Sequence, residues 1–68
     1  MGTVARVTEI SAMSVEGFDD AIRVGIERAN RTLRNVTSAW VKEQRVDITD
    51  GTITNYQVNL LVTFILED

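Results

Sequence analysis

The chain has 68 residues, 44% hydrophobic and 25% charged, with no cysteine, histidine or proline, and so short a chain has room for one small core, not two. Without cysteine there is no disulfide, thiolate metal site, iron–sulfur ligation or thiol nucleophile, and without histidine the commonest metal ligand and the usual neutral-pH base are gone. Most enzyme chemistries thereby lose a central part, and the balance of seven Lys and Arg against ten Asp and Glu, net −3, disfavours general nucleic-acid binding.

The first predicted element is a strand over Thr3–Ile10, where Val4, Val7, Thr8 and Ile10 supply β-branched content with no helix starter. Ser11–Ser14 reads as a small polar connection, with Ser14 as the N-cap of the helix that follows and Glu16, Asp19 and Asp20 placed early, where the helix dipole favours anions. From Val15 to about Asn35, Phe18, Ala21, Ile22, Ile26, Ala29 and Leu33 keep the spacing of one helical stripe, and Gly25 lies on it. A mid-helix glycine costs roughly 1 kcal/mol relative to alanine; its expected compensation is a strand passing close to the helix backbone.

Asn35–Thr37 breaks the helix, and Ser38–Thr49, carrying Trp40, Val41, Val46 and Ile48, reads as a second strand. Its alternation is imperfect. Val41, Glu43 and Arg45 share one parity and Trp40, Lys42, Gln44, Val46 and Ile48 the other, which suggests a bulge or a strong twist near Gln44–Val46. Asp50-Gly51 is a two-residue turn of the kind that needs positive φ, joining this strand to the next as a hairpin. In the third strand, Thr52–Leu66, Tyr56, Val58, Leu60, Val62, Phe64 and Leu66 lie on one face and Gln57, Asn59, Leu61, Thr63 and Ile65 on the other.

The predicted fold is therefore α+β, with order β-α-β-β and a three-stranded antiparallel sheet wrapped around one helix, in a single domain spanning residues 1–68. The third strand would run about 50 Å at roughly 3.3 Å per residue, beyond the reach of a helix rising ~1.5 Å per residue. Its second face alternates Leu61 and Ile65 with Asn59 and Thr63 instead of Lys or Glu, which a freely solvated face would carry. Since a core this small supplies only about 3–5 kcal/mol, the expectation is a homo-oligomer that buries this surface between subunits. No apolar run approaches the ~20 residues of a membrane span, and Met1–Met13 carries Arg6 and Glu9 through its apolar positions, unlike a signal peptide. The expected compartment is the cytoplasm.

The β-α-β-β order, the length, the helix segment Asp20-Ala21-Ile22 through Arg28-Ala29, and the endings Tyr56-Gln57-Val58 and Val62-Thr63-Phe64-Ile65-Leu66-Glu67 resemble the dodecin family from about Val4 to Glu67. The resemblance implies a hollow homododecamer, non-catalytic, that stores or buffers flavin bound in pairs between subunits. In the family, indoles from two symmetry-related subunits sandwich the stacked isoalloxazine pair, and a glutamine of the last strand bonds the polar edge of the ring. A polarizable, electron-poor ring stacks well on indole, and an amide both donates and accepts at the pyrimidine edge.

Carried over by motif, Gln57 takes the amide role and Arg45 matches a basic position that approaches the phosphate of a flavin nucleotide, which favours FMN over riboflavin and FAD. The family's indole position, three residues before the valine of the Val-x-Glu segment, falls on Ser38, whereas the indole here is Trp40, immediately before Val41. Ser38 and Trp40 differ by two and belong on one face of a regular strand, about 6–7 Å apart, with Trp40 roofing or lining the pocket. The other reading is a dodecin-like shell without flavin that stores coenzyme A or metal ions or acts as a scaffold. Asp19-Asp20 and Asp47/Asp50 lack the dense oxygen-ligand loop of an EF-hand and read as solvated acidic surface. No catalytic and no metal-binding residues are assigned.

Overall fold

In the computed structural model, which describes residues 2–67, the elements run β1 (Ala5–Ser14), α1 (Phe18–Thr32), β2 (Val36–Thr49) and β3 (Thr52–Ile65). The sheet order is β1-β3-β2, with both pairs antiparallel. The most regular strand thus takes the centre, where its alternation is read by a neighbour on each side.

The helix packs on the Tyr56–Phe64 face. Val58, Leu60 and Val62 are fully buried there beneath Ala21, Gly25 and Ala29 of the predicted stripe, with Phe18, Ile22, Ile26 and Leu33 around them. At the helix start, the Phe18 ring meets Tyr56 edge-on with centroids 5.1 Å apart. Gly25 has the predicted close approach: a Cβ there would lie 2.9 Å from Leu60 Cδ1 and 3.0 Å from Ala12 Cβ.

Several boundaries differ from the sequence reading, among them the start of β2, which begins at Val36 and not Ser38. Ser11–Ser14 is not a connection but the second half of β1, which pairs with β3 as far as Ser14–Tyr56. Small Ala12 and Ser14 on the inner face let the helix sit low over this strand. The helix accordingly starts at Phe18, after Gly17, not at Val15, and Ser14 is not its N-cap. Instead the Ser14 hydroxyl accepts from the Glu16 backbone N–H at 2.9 Å and donates to Asp20 at 2.6 Å. That bond, then Arg23 at 2.6 Å, holds the Asp20 carboxyl below its ordinary pKa. The helix also ends earlier than predicted, at Thr32, because Leu33 is already extended and Asn35 turns the chain with a φ of 62°.

At the other end Asp50 (φ 50°) and Gly51 (φ 76°) form the predicted tight hairpin turn. Strand β1 pairs with Tyr56–Ile65 only, so the β2–β3 hairpin continues past it and past the helix as an arm in a molecule 54 Å long and 13 Å thick. Ile48 and Ile53 on this arm are exposed. Among the described residues, no helix is long and apolar enough to cross a membrane.

Candidate functional site

All four sequence-derived candidates lie on β2 and β3, so the β2–β3 register decides whether they meet. Ser38 pairs with Thr63, Trp40 with Leu61, Glu43 with Asn59 and Arg45 with Gln57. Each of these β3 partners belongs to the face turned away from the helix. Ser38, Trp40, Arg45 and Gln57 therefore share one face, with Glu9, Ser11 and Met13 of β1 beside them.

Simple parity would have divided Trp40 from Arg45. The register slips between Val41 and Glu43, leaving Lys42 as an extra residue. This bulge, not one near Gln44–Val46, joins the two parities; Gln44, Arg45 and Val46 pair regularly with Val58, Gln57 and Tyr56. Lys42 reaches across to Glu9 of β1 at 3.2 Å. Ser38 and Trp40 sit in a regular stretch and occupy neighbouring same-face positions, as their spacing requires.

Trp40 is 71% exposed, a large apolar ring left unburied in a chain with one tryptophan. From the Trp40–Leu61 pair to the Arg45–Gln57 pair is four rungs, about 13 Å at 3.3 Å per residue. Around the second pair, Glu43, Gln44, Arg45, Gln57 and Asn59 line a hollow of about 280 Å³. Arg45 is tethered there to Asp47 at 3.0 Å, and Asp47 also accepts from the Asn55 amide at 3.4 Å. The acidic partner of Arg45 thus lies two residues along its own strand.

A polar chain that the sequence reading left unassigned runs across the same face. Gln57 Nε2 donates to Asn59 Oδ1 at 3.3 Å, Ser11 Oγ donates to that oxygen at 2.7 Å, and Asn59 Nδ2 donates to Glu43 Oε1 at 2.9 Å. The unusual amide-rich outer face of β3 was its only signal in the sequence. A larger groove of about 620 Å³ between α1 and the β1 edge, lined among others by Ile10, Ala12, Val24 and Arg28, contains none of the four candidates. Among the described residues there is no cluster of three acidic side chains placed to hold a metal ion.

One helix laid on a three-stranded sheet, whose opposite face carries an exposed indole, an amide and a guanidinium, defines a small α+β protein. Comparison with known proteins gives the lineage. The chain belongs to the dodecin family, whose sequence profile matches residues 4–67. It is 40% identical over 68 residues to the dodecin of Thermus thermophilus, covering 100% of this chain and 99% of that one. It superposes on dodecin from Streptomyces davaonensis with a TM-score of 0.92 at 43% identity over 100% of both chains. With dodecin from Streptomyces coelicolor the TM-score is 0.91 at 38% identity, over 97% of this chain and 94% of that one.

Proposed function

We propose that this chain is a flavin-sequestering protein: a cytoplasmic, non-catalytic dodecin-like unit that closes into a hollow homododecamer and holds flavin between subunits. The observation that carries the reading is the exposed Trp40 on the same face as Gln57 and Arg45. In this reading Trp40 stacks on the isoalloxazine ring, Gln57 bonds its pyrimidine edge, Ser38 leaves room beside the indole, and Arg45 faces the phosphate of a nucleotide. Family membership and the uncovered hairpin arm support the assembly, since exposed Ile48 and Ile53 gain cover from other copies.

Flavin is cargo here. The protein's part is to desolvate the ring, orient its edge and hold it away from other reactants. Titration of riboflavin, FMN and FAD with the purified assembly, followed by flavin fluorescence, is expected to show saturable quenching with a native mass of twelve chains plus flavin. No quenching, with an empty, coenzyme A-loaded or metal-loaded shell by native mass spectrometry, would favour storage of another ligand or a scaffold.

The Arg45–Asp47 pair bears on which flavin is preferred. Asp47 partly neutralises the guanidinium and places a negative charge where a phosphate would approach. Asp47→Asn is expected to raise affinity for FMN several-fold while leaving riboflavin nearly unchanged, the difference shrinking at high salt. Equal effects on both ligands would remove Arg45 from phosphate recognition.

A further inference from the structure

The polar chain across the outer face fixes the direction of one amide. A glutamate carboxylate at neutral pH only accepts hydrogen bonds, so the Asn59 group facing Glu43 at 2.9 Å has to be its NH₂. The Asn59 carbonyl must then face the other way, where it receives Ser11 Oγ at 2.7 Å and Gln57 Nε2 at 3.3 Å. That oxygen has two acceptor sites and both are used. Gln57 thereby commits one N–H to Asn59, while its Oε1 and second N–H make no hydrogen bond among the described residues.

From this we infer that Asn59 and Glu43 are positioning residues that set the polarity of the Gln57 amide, so that the site selects planar ligands whose edge presents an N–H beside a carbonyl. The inference rests on the flavin-binding reading above and deepens it. An imide edge of that kind gives its N–H to Gln57 Oε1 and accepts from the free Nε2 hydrogen. With the amide reversed, Gln57 Oε1 would face the Asn59 carbonyl, two acceptors in contact. A freely rotating amide pays for its orientation at binding. Asn59 and Glu43 touch no ligand in this scheme; they act through Gln57.

The test uses the assembled protein with two probes, riboflavin and its N3-methyl derivative, which lacks the imide N–H. The wild-type protein is expected to prefer riboflavin by about tenfold or more, the order of one well-placed hydrogen bond. In Asn59→Ala the riboflavin affinity is expected to fall about five- to tenfold and the preference over the methylated ring to shrink with it. The double variant Glu43→Gln/Asn59→Asp exchanges donor and acceptor between the two positions, and the carboxylate introduced at 59 still accepts from Gln57. It is expected to recover both affinity and preference.

A loss of packing alone would lower affinity for both probes equally and would not be rescued by the exchange; that result overturns the inference. In the flavin-free assembly, the separation between the two Gln57 side-chain amide proton resonances is expected to differ from that of an unbonded glutamine in the wild type and the double variant, and to return to the unbonded value in Asn59→Ala. An unbonded separation already in the wild type also overturns it. If wild-type protein binds neither probe, the flavin reading falls; if it binds both but Asn59→Ala changes neither preference nor amide spectrum, only the present inference falls.

Discussion

Replacing Trp40 with alanine is expected to weaken riboflavin binding by about 10- to 100-fold, the range found when an aromatic platform beneath a stacked heterocycle is removed. The native mass of the assembly and its unfolding temperature are expected to change little, because the ring is 71% exposed in the chain and supports none of the core. Trp40→Phe should retain part of the affinity, since a smaller π surface still stacks. The measurement is a fluorescence-quenching titration of all three proteins at equal subunit concentration. Undiminished affinity in Trp40→Ala would place the ring of the ligand elsewhere, and the exposed indole would then belong to a contact between subunits.

The largest effect on stability is expected at a position with no side chain. Gly25→Ala gains roughly 1 kcal/mol of helix propensity, but the new Cβ would stand 2.9 Å from Leu60 Cδ1 and 3.0 Å from Ala12 Cβ. Leu60 is fully buried and cannot swing into open space, and Ala12 can yield only by moving the backbone of β1. Overpacking of this kind costs typically about 1–3 kcal/mol, so the net change is a destabilisation of up to about 2 kcal/mol, large against the ~3–5 kcal/mol that so small a core provides. Leu60→Val removes the nearer of the two obstacles, and in that background the Gly25→Ala cost is expected to fall. Thermal unfolding of the wild type, both single variants and the double variant closes the cycle. A stabilised Gly25→Ala would show that helix and sheet part readily at this point.

That close approach was legible in the sequence, because a glycine on the apolar stripe of an otherwise good helix needs a reason, and a strand crossing close to the helix backbone supplies one. The alternation from Tyr56 to Phe64 and the Asp50-Gly51 turn were legible for the same cause: each is a local preference that the tertiary structure also wants. Ser11–Ser14 failed because small polar residues signal a turn when read locally, whereas here Ala12 and Ser14 are small to admit the helix and Ser11 is polar because it meets Asn59. The helix start failed with it, since the strand consumes Ser14 before the helix can use it as a cap.

Within the candidate site, residue types were readable and their partners were not. An indole, an amide and a guanidinium could be named from the chain, but not that Asp47 would hold Arg45 or that Glu43, through Asn59, would face Gln57. Those contacts depend on the β2–β3 register, and the register depends on a bulge whose position the letters do not announce. An imperfect alternation shows that a residue must be set aside somewhere; it does not say which.

Thr37 and Lys42 are two residues set aside in this way, each passed over by the pairing with β3. Such residues have no rung of their own, so one could be removed and the remaining strand would alternate without a break, every other side chain still on its present side. Letters counted between an aromatic and a basic residue here are consequently a poor ruler for the distance between them: Trp40 and Arg45 stand five apart in the chain and four apart in the sheet.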